Sequence, residues 1–440
     1  MVLERAGSKL MALVLEKETD MFLGDYYKKK CKEMRYSDEM KKCIEDACQY
    51  CIENVNGGPG KKNGQPLMLL GKIQSGKTRA FTGLMALAFD NGFDYVFILT
   101  KNSKALVEQT YKRMRKEFGR FIEEDKVDVN DIMKLQEDLT PYELDKKIII
   151  IAKKQKDNLL RMCNFIKDYM MDGDKQCLVI DDEADTAGIG YEKIKDTSNE
   201  FSLRTVAAEV NKMRGSLDGD VFVQVTATPY ALYLQPEFDG TAIKPIKPMK
   251  TVLVPSGDKY IGGEYYFIES NNEDSQGRFI FEEVSDEEQE IVSAKTADRR
   301  RFKEEEILIR EDRLAEITKI FVEKLRLEEP GEKEYIDSLL EESYRDLRRS
   351  IRAFGFRMPT RRKARELFYE ALHKGWVKVS IVNSEDDINK YLNEDTWELR
   401  LRTPFSIFVG GQVLDRGVSI TIMVGFYYVR CPKTMQQDTV

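Results

Sequence analysis

The sequence is poor in the residues that most often hold zinc. It has one histidine, His373, and seven cysteines without regular spacing. Cys48 and Cys51 form a CxxC pair, but neither a second pair nor a nearby histidine supplies the other ligands of a tetrahedral site. An odd cysteine count also argues against a disulfide framework. We therefore expect reduced thiols and no structural zinc.

Long apolar runs are also missing. Nowhere do about eighteen uncharged apolar residues follow one another, and charges such as Glu4, Arg5 and Lys9 interrupt the first twenty residues, unlike a signal peptide. We expect a cytoplasmic protein with no membrane partner. The net charge of -7 and isoelectric point of about 5.4 provide no overall positive field. Any binding of nucleic acid must therefore come from local basic segments.

The length of 440 residues, with 42% hydrophobic and 33% charged residues, predicts two or three globular domains. Short apolar runs alternate with helical patterns, which indicates an α/β fold with a parallel sheet buried on both faces. We predict a helical N-terminal segment over 1–55, a first α/β lobe over 56–235, an irregular connector over 236–300, a charged helical insertion over 301–375 and a partial second lobe over 376–440.

Residues 71–78 read GKIQSGKT and match the phosphate-loop pattern GxxxxGK[ST] at every fixed position. An apolar run precedes the match and a helical pattern follows it, which is the context that a phosphate loop requires. The two glycines let backbone amides turn towards phosphate oxygens at the positive N-terminus of the helix. The lysine adds a cation at the β and γ phosphates, and the threonine hydroxyl can ligate Mg²⁺. The predicted ATP contacts are Gly71, Gln74, Ser75, Gly76, Lys77 and Thr78.

An acidic cluster ends a later apolar run. Residues 178–185 read LVIDDEAD. Asp182 is predicted to hold Mg²⁺, usually through water, and Glu183 to act as the general base on the attacking water. An acidic cluster that only caps a helix is the competing interpretation.

The segments GKIQSGKT, IDDEAD and VTATPY stand in the order of motifs one, two and three of superfamily-two helicases, which this chain resembles. More narrowly, it resembles the Z-one domain family, which is often labelled as endonucleases of bacterial mobile and defence loci. Further residues that carry the likeness are TGL at 82–84, ILT at 98–100 and LDRG at 414–417. The resemblance implies two RecA-like parallel-sheet lobes, the second incomplete, an ATP- and Mg²⁺-dependent ATPase, a DNA or RNA partner, and partner proteins of a defence or restriction-like system.

The resemblance also assigns roles outside the phosphate loop. In such helicases Thr226 and Thr228 would link the nucleotide state to movement of the lobes. Thr100 and Lys101 would lie near the nucleic-acid backbone. Apart from the resemblance, lysines that follow another apolar run, at 153, 154 and 156, could line the path of a nucleic-acid strand, because ligands collect at the carboxyl ends of parallel strands. A solvated helix surface is the simpler interpretation of any one of these lysines.

The second lobe is expected to supply further contacts. Residues 410–417 resemble motif five, in which Asp415 and Arg416 would contact the nucleotide, although an exposed glycine-rich turn explains the same residues. The resemblance places a final motif, with an arginine that reaches the γ phosphate, shortly after residues 436–438. Because the sequence ends at Val440, we expect a shortened chain that hydrolyses ATP slowly.

The strongest basic stretch lies at 345–365, which contains nine arginines and lysines and a single acidic residue, Asp346. Phe354 and Phe356 lie within it, and arginines mixed with aromatics can pair with phosphates and stack on bases. Pairing of these arginines with nearby glutamates is the competing interpretation. The candidate nucleic-acid contacts are Arg349, Arg352, Arg357, Arg361 and Arg362.

The leading function is an ATP-driven helicase or translocase motor on DNA or RNA. One alternative is an endonuclease subunit, although Glu143, Asp145 and Lys147 lack an earlier acid at a defined spacing. The other is an ATP-regulated binding module that controls a partner protein. Cleavage of plasmid with Mg²⁺ and no ATP would favour the nuclease, and nucleic-acid-stimulated ATPase activity separates the motor from the binding module.

Replacing Lys77 with alanine is expected to weaken ATP binding greatly, because the change removes the cation at the β and γ phosphates. Titration with a fluorescent ATP analogue in the presence of Mg²⁺ measures the effect. Equal affinity in the variant and the parent would show that the phosphate-loop assignment is wrong.

Overall fold

The structure is a computed structural model of the 440-residue chain. The chain divides into two compact units, Met1–Tyr260 and Ile261–Val440. The structure describes residues 21–55, 65–73, 75–136, 138–170, 175–185, 191–193, 201–203, 205–217, 220–235, 246–258, 260–272, 319, 322–327, 330–382, 390–391, 393, 399 and 401–410.

The first unit is built on a seven-stranded sheet in which every described pairing is parallel, in the order β3-β4-β2-β5-β8-β1-β9. A separate antiparallel pair, β6 with β7, follows β5 in the chain. The strands are β1 (Leu67–Leu70), β2 (Phe93–Thr100), β3 (Val127–Asp131), β4 (Lys147–Lys153), β5 (Gln176–Asp182), β6 (Tyr191–Lys193), β7 (Phe201–Leu203), β8 (Asp220–Thr226) and β9 (Lys250–Leu253).

Helices connect the strands of the first unit, and clusters of buried apolar side chains include residues from the helices as well as the sheet. The central strands are nearly continuous apolar runs, such as KIIIIAK in β4, because both faces of a parallel sheet are covered. The helices are α1 (Asp25–Met34), α2 (Asp38–Asn54), α3 (Lys77–Asp90), α4 (Lys104–Glu117), α5 (Gly119–Glu123), α6 (Pro141–Leu144), α7 (Lys156–Tyr169), α8 (Thr205–Gly215) and α9 (Tyr230–Tyr233).

The predicted α/β class is confirmed, since a parallel sheet with covering helices is consistent with a RecA-like lobe. The helical pattern predicted near the N-terminus is present as α1 and α2. Cys48 and Cys51 lie in α2, and both are fully buried in the main core. Burial raises the pKa of Cys51 to about 12, so this thiol stays protonated at neutral pH and packs as an apolar side chain.

The two N-terminal helices pack against α3, the helix that follows the phosphate loop. Asp90, at the end of α3, accepts hydrogen bonds from the backbone N–H groups of Tyr26 and Tyr27, at 3.2 and 2.9 Å. The side chain of Ile44 in α2 lies directly against Gly83 in α3. These contacts brace the helix that starts at the phosphate loop.

The second unit contains a helical hairpin and two paired strands. Its described elements are α10 (Gly263–Phe267), a 3₁₀ turn (Glu269–Asn271), α11 (Pro330–Ala353), α12 (Arg361–His373), β10 (Val377–Ile381) and β11 (Phe405–Val409). The two strands pair in parallel, and Ile336 of α11 packs with Leu372 of α12. The part of the predicted second lobe that follows residue 410 lies outside the described residues. Among the helices that the structure describes, none is long and apolar enough to cross a membrane.

Gly83→Ala is expected to destabilise the first unit. An added Cβ would lie 2.5 Å from Ile44 Cδ1 and 3.0 Å from the Tyr36 hydroxyl. Overpacking typically costs about 1–3 kcal/mol, more than the gain of up to about 1 kcal/mol in helix propensity. Gly119→Ala is the matched control, because its Cβ would meet nothing within 4 Å. Thermal unfolding of both variants checks the prediction, and equal melting temperatures would contradict it.

Candidate active site at the carboxyl edge of the sheet

The segments predicted to bind ATP come together at one edge of the sheet. Because the strands are parallel, the loops after β1, β5 and β8 leave from the same edge. β8 lies between β1 and β5, with Leu70 level with Thr226 and Asp182 level with Val225. The N–H of Gly71 donates to the carbonyl of Thr226 at 3.2 Å. The phosphate loop is thus tied directly to the third motif.

The backbone of the phosphate loop curls into a tight turn. Gly76 has φ of +100°, a conformation that L side chains rarely adopt, and α3 begins at the next residue. A Cβ on Gly71 would lie 2.8 Å from both Ser75 Oγ and Lys77 Cγ. The Ser75 hydroxyl is buried and has no hydrogen-bond partner among the described residues. The loop therefore leaves no room for a side chain at Gly71, and it contains a buried hydroxyl that pairs with no described group.

The Lys77 side chain folds back over this loop. Its ammonium donates to the carbonyls of Lys72 and Gly71, at 3.0 and 3.4 Å. Burial lowers the pKa of Lys77, while the nearby carboxylates of Glu183 and Asp182 act in the opposite direction. The ammonium therefore lies between the phosphate loop and the acidic cluster, where a cation can neutralise added negative charge.

The Thr78 hydroxyl lies at the start of α3 and accepts a hydrogen bond from Arg113 of α4 at 3.2 Å. No group of three or more His, Cys, Asp or Glu side chains converges as a metal cage within the described part of the chain. A nucleotide-dependent Mg²⁺ site needs no such cage, because the ion takes phosphate and water oxygens together with one or two protein ligands.

The two central acids of the cluster lie in different environments. Burial, reinforced by the neighbouring Glu183 carboxylate, raises the pKa of Asp182 to about 6, and Lys154 and Lys77 act against this rise. Glu183 is exposed, and its backbone adopts φ of +54°, which is uncommon for a residue with a side chain. Its N–H donates to the Asp182 carboxylate at 3.2 Å. The chain thus turns sharply at the end of β5.

Asp185 joins the acidic cluster to the segment after β8. Its carboxylate accepts hydrogen bonds from the hydroxyls of Thr226 and Thr228, at 2.8 and 2.6 Å. Thr226 Oγ1 also accepts the backbone N–H of Thr228 at 3.0 Å. The two threonines predicted to couple nucleotide state to movement therefore touch the acidic cluster directly, and Asp185 is the acceptor that connects them.

Lys154 lies in the candidate site and not on the nucleic-acid path that the sequence predicts for it. Only 1% of this residue is exposed, so it cannot contact a nucleic-acid strand at the surface. Its ammonium pairs with Asp181 at 2.9 Å and donates to the carbonyls of Asp182 and Glu183, at 2.9 and 2.7 Å. A lysine after a buried strand reads the same in sequence whether it points outwards or inwards.

The predicted pair after β2 is divided by burial. Thr100 is 3% exposed, and its hydroxyl donates to the carbonyl of Lys101 at 3.3 Å. Its own carbonyl accepts the N–H of Lys154 at 2.8 Å. Lys101 is half-buried and is the member of the pair with surface at this edge.

The arginines of the helical hairpin in the second unit fall into two groups. Arg361 pairs with Glu341 at 2.8 Å and Arg362 with Glu366 at 3.0 Å. Arg365 pairs with Asp337. The other group makes no ion pair with any carboxylate that the structure describes, and all its members are exposed: Arg348, Arg349, Arg352 and Arg357.

Three of the predicted nucleotide contacts lie outside the described residues: Gln74, Asp415 and Arg416. The structure adds a phosphate-loop neighbour that sequence reasoning missed. Tyr260 donates its hydroxyl to the carbonyl of Ile73 at 2.8 Å, and Lys72 lies 5.7 Å from its ring centroid. A tyrosine nearly two hundred residues along the chain leaves no local signal for this contact.

Comparison with known proteins gives little beyond this geometry. No family model matches the sequence, and no curated protein matches it. Among solved structures, the helicase domain of Pyrococcus furiosus Hef is similar, with a TM-score of 0.30 and 14% identity, over 80% of this chain and 78% of that one. No residue is assigned a role from this similarity.

Proposed function

We propose that the chain is a Mg²⁺-dependent ATPase that drives a helicase or translocase motor on DNA or RNA. The observation that carries this proposal is the meeting of three separate segments at one sheet edge. These segments are the loop after β1 with Lys77 and Thr78, the acids after β5 and the threonines after β8. ATP hydrolysis needs a phosphate cradle, a metal ligand and a base on neighbouring strands.

The phosphate loop fits a triphosphate by its donor set and shape. It has no room for a side chain at Gly71, and the buried Ser75 hydroxyl has no partner among the described residues. Lys77 would pair with the phosphates, and Thr78 and Asp182 would hold Mg²⁺. A bound Mg²⁺ supplies positive charge that stabilises the phosphoryl group during transfer.

Glu183 is the residue best suited to accept a proton from the attacking water. It is exposed at the same edge, while Asp182 beside it is more buried. The two acids thus have different roles: the more buried carboxylate of Asp182 would bind the metal, and the exposed carboxylate of Glu183 would accept the proton of water. Lys77 and Lys154 lower the pKa of Asp182 against the effect of burial, and a metal cation acts in the same direction.

The hairpin of the second unit supports nucleic acid as the partner. Arg345, Arg348, Arg349 and Arg352 follow one face of α11 at helical spacing, and only Arg345 has a described carboxylate partner, Glu341 at 3.3 Å. Phe354 and Phe356 are exposed just beyond this face, with 41% and 70% of their surface accessible. Exposed guanidinium groups that have no ion pair among the described carboxylates, followed in the chain by exposed aromatic rings, match phosphates and unstacked bases.

Two of the residues suggested for the endonuclease alternative have structural partners within the described part of the first unit. Glu143 caps its own short helix, since its carboxylate accepts from the N–H and the hydroxyl of Thr140, both at 2.8 Å. Lys147 pairs with Asp94 at 2.9 Å. Glu143 and Lys147 therefore have local structural partners. Partner proteins of a defence or restriction-like system, which the family resemblance implies, are a secondary part of the proposal.

Glu183→Gln is expected to keep nucleotide binding and to lower hydrolysis by about 10²–10⁴-fold, because an amide cannot accept the proton of water. Asp182→Asn should instead weaken Mg²⁺-dependent binding. Single-turnover hydrolysis of labelled ATP, with and without single-stranded DNA, measures the rate, and a fluorescent analogue measures affinity. Turnover in the glutamine variant at the parent rate would move the base elsewhere.

The arginines of α11 that pair with no described carboxylate generate a second prediction. Replacing Arg348, Arg349 and Arg352 together with glutamine should weaken binding of a labelled single-stranded oligonucleotide. It should also reduce the slope of log K against log salt by about 2, at about 0.7 per lost phosphate contact. The control replaces Arg361 and Arg362, which already pair with carboxylates. Fluorescence anisotropy at several salt concentrations distinguishes them, and equal losses would contradict a surface centred on α11.

A further inference from the structure

Lys154 reaches from the end of β4 to the turn after β5. Its N–H donates to the Thr100 carbonyl at the end of β2, so its backbone continues the sheet. Because β2 lies between β4 and β5, the side chain crosses the end of β2 to reach the acidic turn. The ammonium then contacts the Asp181 carboxylate and the two carbonyls of the turn, at 2.7–2.9 Å.

These contacts attach the ammonium to one short segment. The oxygens belong to three successive residues, Asp181, Asp182 and Glu183: the first forms an ion pair with the ammonium, and the two carbonyls accept hydrogen bonds from it. The two carbonyls flank the Glu183 φ and ψ angles on either side, since one belongs to the preceding residue and one to Glu183 itself. A cation that holds both carbonyls therefore constrains the backbone conformation of Glu183.

That conformation is one that the backbone does not favour by itself. Glu183 has φ of +54°, and residues with a Cβ adopt left-handed angles only where their surroundings hold them. On the other side of the turn, the Glu183 N–H donates to Asp182 and the Ala184 N–H donates to Val225, at 3.2 and 3.1 Å. Lys154 provides a charged attachment through the carbonyls of the turn.

We propose that Lys154 is a positioning residue for ATP hydrolysis, which holds the Asp182–Glu183 turn in its left-handed conformation so that the Glu183 carboxylate faces the phosphate loop. This inference rests on the proposed ATPase function. It assigns to Lys154 an effect mainly on the rate of hydrolysis, because its ammonium contacts the backbone of the turn that carries Glu183 and only 1% of the residue is exposed.

A second buried ion pair in the same unit is the matched control. Arg214 pairs with Asp220 at 3.0 Å, and both side chains are at least 93% buried. Asp220 begins β8, at the opposite end of the strand from Thr226. Arg214→Met therefore removes a buried cation from the same sheet without touching the acidic turn. It should lower the melting temperature and leave the rate of hydrolysis unchanged.

The test compares Lys154→Met with Arg214→Met in the full chain. In Lys154→Met, single-turnover hydrolysis of Mg-ATP is expected to fall by about 10²-fold, the lower end of what a positioned general base contributes. Affinity for a fluorescent ATP analogue should stay within about threefold, as expected when an interaction acts in the transition state. Lys154→Arg, which keeps a cationic donor, should recover part of the rate.

A double variant distinguishes positioning from a general loss of structure. If Lys154 acts through Glu183, the Lys154→Met change should cost little in a chain that already carries Glu183→Gln. Asp181→Asn provides a milder variant that keeps the ammonium and its two carbonyl contacts, and it should cause a smaller loss of rate. The parent rate in folded Lys154→Met would overturn the inference.

Two further results would also overturn the inference. One is an equal fold loss from Lys154→Met in the parent and the glutamine background. The other is a loss of hydrolysis in Arg214→Met as large as that in Lys154→Met. If instead the parent shows no Mg²⁺-dependent hydrolysis at all, the proposed function itself is wrong, and the inference falls with it.

Discussion

The register between β1, β8 and β5 is the constraint on which the site depends. Leu70 is level with Thr226, and Asp182 is level with Val225, so three loops leave the sheet side by side. The Gly71 N–H to Thr226 carbonyl bond joins the first loop to the third. A shift of one residue along β8 would turn each of its side chains to the other face and separate Thr226 from Asp185.

Electrostatics within the site follow from that arrangement. The acids at the end of β5 lie between two lysines, with Lys77 on the side of the phosphate loop and Lys154 beneath the turn. Burial raises the pKa of Asp181 and of Asp182. Lys154 acts against this rise at both carboxyl groups, and Lys77 acts against it at Asp182. The site therefore places lysine ammonium groups and carboxylates close together in a partly buried environment, where electrostatic interactions are stronger than in water.

The candidate functional residues of the two units lie in different structural settings. In the first, the candidate ATPase residues are held by contacts between strands, so their geometry is specific. In the second, the candidate nucleic-acid residues lie on a hairpin surface, where pairing separates Arg361 and Arg362 from Arg349, Arg352 and Arg357. Spacing in the sequence treats all five arginines alike, because it does not say which carboxylates a neighbouring helix brings close.

The sequence by itself determined the α/β class, the order of the strands along the chain and the three segments that make the candidate site. Apolar runs and a glycine-rich loop are local patterns, and local patterns can be read without coordinates. Only the tertiary structure decided that Lys154 points inwards, that Asp185 joins Thr226 to Thr228 and that Tyr260 contacts the phosphate loop. Those contacts depend on which strands are neighbours and on which face of the sheet each side chain lies. Both depend on how the whole chain packs and not on the identity of a single residue.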